Sequence, residues 1–467
     1  PAFDTLYKFP HPGPLRPSFS SHPSLQTNIP QMASQRLELI SSHLTAQPTA
    51  SSNVTRIGAK SPDDIVIVSA LRTPIIRARK GPFKDTLPEE LLAAVLKATI
   101  EKTGIKPELV QDIAVGNVLP PGGGASAARM AALYAGFPES TAINTVNRQC
   151  SSGLQATVQI VTAIQTGLID IGIGAGVESM TTNYGAAALG NTSEKIASAN
   201  QAAADCLLPM GGHMDQLAKS FTSCSPYSIT SENVAADFGI TRDKQDTFSA
   251  RSHHLASAAQ KAGLFNAEII PVTTTVLDKD GKEVTVTVDK DDGIREGVTS
   301  QSLSKLKPAF SATGTTTAGN ASQVSDGAAA VLLMKRATAE RLGLPIQGKY
   351  ITSAVVGVPP KIMGVGPAYA IPIALAKANI KVSDVDIFEI NEAFASQSVY
   401  CVEKLGIDIN KVNPKGGAIA LGHPLGATGA RQIATLLTEL KRQNKRVGVT
   451  SMCIGSGMGM AAVFERE

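Results

Sequence analysis

The sequence predicts an α/β fold made of two similar halves. From residue 65 onward, strand-like apolar runs alternate with amphipathic helix patterns, an order that favours a mostly parallel sheet covered by helices on both faces. The run Asp112-Ile-Ala-Val-Gly-Asn117 is echoed 274 residues later by Asp386-Ile-Phe-Glu-Ile-Asn391. A second run, Ile173-Gly-Ala-Gly176, is echoed 281 residues later by Ile454-Gly-Ser-Gly457. These repeats predict two βαβ-type halves that bring equivalent strand and helix ends together. The alternative is chance similarity between glycine-rich strands.

Composition excludes several classes of protein. The 467 residues suffice for two or three domains with large cores. The net charge of +4 comes without a long basic run, which argues against a nucleic-acid partner, and no apolar run approaches the roughly eighteen residues that a membrane span needs. The cysteines are odd in number and form no Cys-x-x-Cys pair, which fits a reducing compartment and argues against a disulfide scaffold or a zinc knuckle. They are Cys150, Cys206, Cys224, Cys401 and Cys453.

Residues 1–61 are rich in Pro, Ser, Thr and Gln and have little periodic apolar content, so we expect a disordered tail. The first methionine is Met32, and we hypothesise that the Pro-rich stretch before it is translated leader sequence outside the mature protein. The folded part is expected to begin with a buried strand at Ile65–Val68. A helix from Leu87 to Gly104 follows, with Pro88 in its first turn and Gly104 as its stop.

The first candidate site residue is Cys150, in the stretch Asn147-Arg-Gln-Cys-Ser-Ser-Gly-Leu-Gln-Ala156. A short apolar run, Ala142 to Val146, precedes it, and the apolar spacing after it predicts a helix that starts at or just beyond the cysteine. Free N–H groups and the helix dipole would stabilise a thiolate there and make it a nucleophile. The alternative is a buried structural cysteine, the commonest fate of a free thiol.

Two stretches near the C-terminus add further candidates. Lys415-Gly-Gly-Ala-Ile-Ala-Leu-Gly-His-Pro-Leu-Gly-Ala-Thr-Gly-Ala-Arg431 places His423 in a glycine-rich turn before an amphipathic helix. A strand-like run, Val447 to Met452, then leads into Cys453-Ile-Gly-Ser-Gly-Met-Gly459. Together with Asn391-Glu-Ala-Phe-Ala395 and the Cys150 stretch, these segments resemble the signature blocks of the thiolases, and the resemblance extends from about Asp63 to the C-terminus.

The resemblance implies the thiolase fold: two similar βαβ-type halves packed as five layers (αβαβα) with an inserted loop domain. The N-terminal half would comprise residues 62–181 plus 322–344, the loop domain 182–321, and the C-terminal half 345–467. The loop domain carries a helical segment, Ser231 to Ala262, and a β-rich piece, Val272 to Val288.

The loop domain departs from the family pattern at one place. Family members pass directly from Leu-Pro-Met-Gly to Ile-Thr-Ser-Glu-Asn, whereas this chain inserts residues 212–228 between these motifs. A loop elaboration and a retained intron both account for the insert.

The resemblance also implies roles in cleaving a 3-ketoacyl-CoA. Cys150 would be the nucleophile, activated by His423 through a hydrogen bond, and Cys453 the second acid/base. One oxyanion site would be formed by His423 with a water held by Asn391, and the other by the backbone N–H groups of Cys150 and Gly455. Glu392 would either orient that water and the histidine or satisfy a buried turn.

Coenzyme A is expected as a substrate and not as a permanently bound cofactor. The positions that match the family's contacts to its pantetheine arm are Ser322, Met180, Ala393 and Phe394. A turn is the alternative role for Ser322, and core packing for the other three.

A short segment of the tail predicts where the protein acts. The run 36–44 matches the Arg-Leu-x5-His-Leu pattern of the N-terminal peroxisomal targeting signal through Arg36, Leu37, His43 and Leu44. In a helix, Arg36 and His43 lie two turns apart on one side, beside an apolar stripe that an import receptor could bind. A chance match in a disordered tail is the alternative.

These observations predict thiolytic cleavage of 3-ketoacyl-CoA in peroxisomal fatty-acid β-oxidation, by an enzyme that the resemblance implies is a homodimer. A biosynthetic acetyl-CoA acetyltransferase would share the same blocks. A catalytically silent, thiolase-like lipid-binding protein is disfavoured, because both cysteines and the histidine are present.

Overall fold

The computed structural model describes residues 56–184, 192–207 and 230–467. The predicted targeting segment 36–44, the stretch before Met32 and the insert 212–228 lie outside these residues. The predicted tail boundary at residue 61 is wrong at its C-terminal end. Residues 56–61 contact the folded part, because Lys349 Nζ donates hydrogen bonds to the carbonyls of Arg56 and Ala59, and Ile57 packs against a hydrophobic core.

The strands of the described residues are β1 Ile65–Arg72, β2 Ile76–Arg77, β3 Asp112–Gly116, β4 Ala142–Val146, β5 Ile171–Ser179, β6 Val272–Leu277, β7 Glu283–Val288, β8 Ser325–Lys335, β9 Gly348–Gly357, β10 Ile387–Ile390, β11 Val447–Ile454 and β12 Met458–Arg466. The α-helices are α1 Pro88–Thr103, α2 Ala125–Tyr134, α3 Ser152–Gln165, α4 Glu194–Ala199, α5 Gln201–Asp205, α6 Thr230–Phe238, α7 Arg242–Lys261, α8 Ser300–Ser304, α9 Arg336–Arg341, α10 Gly366–Lys377, α11 Ala395–Leu405, α12 Ala418–Leu421 and α13 Leu425–Arg442. Short 3₁₀ helices lie at Pro107–Leu109, Pro121–Gly124, Pro360–Val365, Val382–Asp384 and Ile409–Lys411.

The main sheet is mixed, so the expectation of a mostly parallel sheet is wrong. Its strand order is β10-β11-β12-β9-β1-β8-β5-β3-β4, with β2 paired to β8. Only the β10–β11, β3–β4 and β3–β5 pairs of this sheet are parallel. Parallel neighbours are joined through crossover helices, whereas β12 returns directly beside β11 after a tight turn. Alternating helix and strand patterns do not specify the direction of these last strands.

The two halves repeat one strand order: β3-β5-β8-β1 in the first and β10-β11-β12-β9 in the second. The predicted match of Asp112–Asn117 with Asp386–Asn391 therefore holds, because these runs contain β3 and β10. The second predicted match is wrong in register. Gly116 lies opposite Gly176, and Ile390 lies opposite Ser451, so the counterpart of Ile173–Gly176 is 448–451 and not 454–457.

The hydrophobic residues form three main cores between five layers. One core lies between α1, α2 and the outer face of the first half's strands. A second contains residues of α3 and α13 together with inner-face residues of both halves. The third lies between α10 and the outer face of β9–β12. The five layers are therefore α1 with α2, the strands of the first half, α3 with α13, the strands of the second half, and α10. The helices α3 and α13 form the central layer.

The central helices are in backbone contact. A Cβ added to Gly153 on α3 would lie 2.6 Å from the carbonyl oxygen of Gly426 on α13. A Cβ added to Gly429 would lie 2.2 Å from the backbone nitrogen of Leu154, and one on Gly176 of β5 would lie 2.2 Å from the Gly426 oxygen. Side chains at these positions would push the helices apart, so glycine is required for this close approach.

The segment between β5 and β8 contains an antiparallel hairpin, β6–β7, within the predicted β-rich piece. The predicted helical segment 231–262 is two helices, α6 and α7. Gly239 has a left-handed φ of +67°, which ends α6, and the Thr241 side chain accepts a hydrogen bond from Lys244 N, which caps α7.

A buried carboxylate joins this segment to both halves. Glu268 accepts hydrogen bonds from Arg72 Nε at the end of β1, from Lys415 Nζ, and from Thr435 Oγ1 on α13. Burial alone would raise the pKa of Glu268, but the charges of Lys415 and Arg72 outweigh it and lower that pKa to about 2. Arg72 also pairs with Asp291, so its guanidinium is bound on both sides.

The glycine contact generates a stability prediction. We expect Gly176→Ala to lower the free energy of unfolding by about 1–3 kcal/mol, because the added methyl group would overlap the Gly426 carbonyl. The matched control is Gly357→Ala, also in a strand, where an added Cβ meets no atom within 4 Å and where we expect little change. Denaturant unfolding of both variants measures the difference. Equal stability of the two variants would contradict the contact.

Candidate active site

Cys150 lies in a turn between β4 and α3 that several hydrogen bonds stabilise. It precedes the first residue of the helix by two positions, as predicted. Gln149, directly before it, has a left-handed φ of 48°. The Ser151 and Ser152 N–H groups donate to the carbonyls of Arg148 and Gln149, and the Ser152 hydroxyl donates to the Gln149 carbonyl at 2.6 Å. These bonds hold an unfavourable backbone conformation that fixes the position of the cysteine.

The environment of Cys150 does not acidify the thiol, contrary to the expectation from its place before a helix. Cys150 is buried, and this burial raises its pKa to about 11. The backbone N–H groups of Gly455 and of Cys150 itself act in the other direction, and the negative charge of Glu178 adds to the rise. The free sulfur is therefore a thiol at neutral pH, because loss of solvation outweighs the effect of these two N–H groups.

His423 precedes α13 in the predicted glycine-rich turn and is buried. Its Nε2 lies 3.2 Å from Asn391 Nδ2, and its Nδ1 lies 2.7 Å from Thr428 Oγ1. The Asn391 amide nitrogen can only donate, so the contacts assign the ring proton to Nδ1. Burial, with the nearby charge of Arg431, lowers the pKa of His423 to about 3. The imidazole is neutral at physiological pH.

Among the described residues, His423 does not form the predicted hydrogen bond to the Cys150 sulfur. Its two ring nitrogens contact Asn391 and Thr428 instead. Asn391 is nevertheless in the predicted place, at the end of β10, with its N–H bonded to the Ser451 carbonyl. Its side-chain Oδ1 is buried and has no hydrogen-bond partner among the described residues. A buried acceptor without a partner is a candidate site for a bound water or a substrate group.

Cys453 is the second-last residue of strand β11 and is fully buried. Burial raises its pKa well above the ordinary value, and the nearby Cys150 contributes to that rise. Gly455 follows in the turn before β12, and its backbone N–H is directed at the Cys150 sulfur, where it lowers the thiol pKa. The structure thus brings Cys150, Cys453 and Gly455 together.

Glu392 is fully buried and bonded to three separate segments: α7, the stretch before α12, and α12 itself. Its carboxylate accepts from Ser252 Oγ at 2.6 Å, from Asn413 Nδ2 at 2.8 Å and from Ile419 N at 3.2 Å. Burial raises its pKa, and these hydrogen bonds oppose the rise. Of the two roles left open for Glu392, this geometry favours the structural one, because the three bonds join neighbouring segments to the residue and none reaches His423.

A cavity of about 430 Å³ contains two of the four predicted coenzyme A positions, Met180 and Ser322. The side chains of Arg77, Arg79 and Lys80 also line it. The other two predicted positions do not line this cavity. Ala393 and Phe394 pack in one cluster with Cys453, and the Ala393 carbonyl accepts a 3.0 Å hydrogen bond from Ser322 N.

Two residues of the site were not predicted from the sequence: Thr428, which contacts the His423 ring, and Glu178, whose charge acts on Cys150. An isolated carboxylate in the otherwise small and apolar run of β5 was the available signal for Glu178. Within residues 56–184, 192–207 and 230–467, no cluster of three or more His, Cys, Asp and Glu side chains is arranged to hold a metal ion. No helix in the same part of the chain has both the length and the apolarity to cross a membrane.

Comparison with known proteins decides the family. Residues 65–337 match the thiolase N-terminal domain, and residues 344–466 match the thiolase C-terminal domain. The chain belongs to the thiolase family. This thiolase is 56% identical over 437 residues to a mouse protein, 3-ketoacyl-CoA thiolase B, peroxisomal, with 92% of this chain and 99% of the relative covered.

Two solved structures from Saccharomyces cerevisiae are also similar to this thiolase. A dimeric peroxisomal thiolase has a TM-score of 0.79 and 49% identity, covering 88% of this chain and 99% of that chain. A peroxisomal 3-ketoacyl-CoA thiolase has a TM-score of 0.70 and 45% identity, and the match covers 88% of this chain and 100% of that chain. That protein is described as five layers built from two core domains of identical topology, which confirms the predicted fold. The predicted domain boundaries at residues 181, 321 and 344 stay predictions.

Proposed function

We propose that the chain catalyses thiolysis of 3-ketoacyl-CoA by coenzyme A, giving acetyl-CoA and a shortened acyl-CoA. The observation that carries this proposal is that two buried thiols, Cys150 before α3 and Cys453 at the end of β11, lie close together, while Asn391 contacts a neutral His423. The names of the similar mouse and yeast proteins support the same reaction.

In the first half-reaction, Cys150 attacks the ketone carbon of the substrate. Its proton passes to His423, whose unprotonated Nε2 suits an acceptor. The bond between the second and third carbons then breaks, and the acyl group stays on the Cys150 sulfur as a thioester. The leaving acetyl-CoA enolate takes a proton from Cys453, whose raised pKa matches a strongly basic acceptor.

In the second half-reaction, the Cys453 thiolate removes the proton from the thiol of incoming coenzyme A. The new thiolate attacks the acyl carbon, and the Cys150 sulfur leaves and regains the proton held on His423. The N–H groups of Cys150 and Gly455 would bind one developing oxyanion. His423 with a water held by the unpartnered Asn391 oxygen would bind the other. Glu392 would hold the loop around this second site in place.

Coenzyme A would enter by the cavity that Met180 and Ser322 line. Its phosphates carry negative charge, and the basic side chains of Arg77, Arg79 and Lys80 are suited to bind them. Ala393 and Phe394 would supply apolar contacts to the arm near Cys453. A homodimer is proposed because the similar yeast thiolase is dimeric and because β4 lies at an edge of the sheet, where its outer backbone groups are open to pairing.

The central prediction concerns Cys150. Wild-type protein should cleave 3-ketoacyl-CoA, and Cys150→Ser should show neither turnover nor acyl-enzyme, because a hydroxyl is a far weaker nucleophile than a thiolate. Mass spectrometry of enzyme mixed with substrate locates the acyl group. Cys206→Ser, at an exposed cysteine, is the control and should acylate normally. Acylation of Cys453 in place of Cys150 would reverse the two roles. Activity confined to acetyl-CoA condensation would favour the biosynthetic enzyme.

The second thiol generates a separate prediction. Cys453→Ala should lose about two to four orders of magnitude in kcat, the usual scale for a positioned acid/base. Iodoacetamide should still alkylate Cys150 in this variant, since the first thiol remains. Near-normal thiolysis would leave Cys453 with a packing role only.

The proposed localisation is the peroxisome, supported by the names of the relatives and by the sequence pattern at 36–44. A fluorescent fusion carrying residues 32–61 should enter peroxisomes, and Arg36→Ala or His43→Ala should leave it in the cytosol because each removes one residue of the pattern that the import receptor would recognise. Fluorescence microscopy measures the distribution, with Lys60→Ala as a control outside the pattern. An unchanged punctate distribution in both variants would reduce the pattern to a chance match.

A further inference from the structure

Glu178 is a fully buried carboxylate at the junction of the two halves. It lies near the end of β5. Its hydrogen-bond donors among the described residues are three main-chain N–H groups: Val118 and Leu119, each at 3.1 Å, and Gly426 at 2.9 Å. No cationic side chain of the described residues pairs with it, so main-chain groups alone solvate the carboxylate.

These three donors lie in two segments, one directly after β3 and the other at the start of the helix that follows His423. Val118 and Leu119 directly follow Asn117 at the end of β3. Gly426 lies in the first turn of α13, three residues after His423. Glu178 therefore fastens the start of the helix that follows His423 to the half of the protein that carries Cys150.

The pseudo-symmetry of the two halves makes Glu178 the counterpart of Cys453. Gly176 and Ser451 are equivalent by strand register, so Glu178 and Cys453, each two residues further along, occupy equivalent positions. Cys150 and His423 are likewise equivalent, each two residues before a central helix. The second half places its acid/base thiol where the first half places a carboxylate.

Glu178 also acts on the charge of the site. Burial raises its pKa to about 7, the three N–H groups oppose that rise, and Asp326 on the adjacent β8 adds to it. Its negative charge raises the pKa of the Cys150 thiol. Among the described residues, Asp326 acts on the charge of Glu178, and Cys453 lies close to Cys150.

We propose that Glu178 is a positioning residue for the Cys150–His423 pair: its carboxylate fixes the start of α13 against the segment after β3, and its negative charge adds to the effect of burial on the Cys150 thiol. The proposal rests on the proposed role of Cys150 as nucleophile. Because Glu178 acts through main-chain groups and through its charge, the two effects can be separated by variants that keep or remove the charge.

The test measures iodoacetamide alkylation of Cys150 between pH 6 and 10, with the modified residue located by mass spectrometry, beside kcat and KM for thiolysis. As pH rises through the range where Glu178 ionises, near 7, the thiol pKa rises, so the wild-type alkylation rate should increase less than tenfold per pH unit there. Glu178→Gln should remove this break and alkylate about three to ten times faster at pH 8, since a like charge is gone.

Turnover separates positioning from charge. Glu178→Asp keeps the charge but shortens the reach to Gly426, Val118 and Leu119, so its alkylation profile should keep the wild-type break while kcat falls about 10- to 100-fold, with KM for coenzyme A nearly unchanged. Glu232→Gln is the matched control, because Glu232 also accepts from main-chain N–H groups, those of Thr315 and Thr316, and should leave the Cys150 profile unaltered.

Two results would overturn the proposal: an alkylation profile in Glu178→Gln that coincides with the wild type, or wild-type kcat in Glu178→Asp. If Glu178→Gln does not fold, the wild-type break and Glu178→Asp decide the question. Failure of the proposed function would appear differently, as wild-type protein without thiolysis, and alkylation of Cys150 would still report on Glu178.

Discussion

The close contact between α3 and α13 is the constraint on which the site depends. Each helix begins two residues after a candidate catalytic residue, Cys150 in one half and His423 in the other. Glycines at 153, 426 and 429 let the two backbones touch, so the residues at the helix starts are held at one junction. A fold assembled from two similar halves thereby places a thiol and an imidazole at equivalent positions, where each can perform a different step.

Burial decides the resting ionisation of that junction. It raises the pKa of both Cys150 and Cys453 and lowers that of His423, so the thiols are protonated and the imidazole is neutral. Neutral groups are what a buried site holds at least cost, since isolated charges lose their hydration there. Under the proposed mechanism, the charge needed for attack on the substrate would therefore develop during the reaction, close to the N–H groups of Cys150 and Gly455.

Buried carboxylates that bind across elements keep this arrangement fixed, and their environments differ. Glu268 is surrounded by two cations and hydroxyl groups, and its pKa is lowered to about 2. No cation in the described part of the chain is in direct contact with Glu178 or Glu392, and burial raises the pKa of each. Glu268 is thus a permanently charged link between the loop segment and both halves, whereas Glu178 can change its charge near neutral pH.

The sequence by itself determined the main elements and the candidate residues of the site. Periodic apolar spacing placed α1, α13 and the strands before Cys150 and Cys453, because such spacing records which face of a local element is buried. Tertiary structure decided what local patterns do not encode: the mixed strand directions of the sheet, the register that makes Glu178 the counterpart of Cys453 in the other half, and the division of 231–262 into two helices. It also decided the raised pKa of Cys150, because desolvation comes from residues distant in sequence and here exceeds the opposing effect of the backbone N–H groups of Gly455 and Cys150.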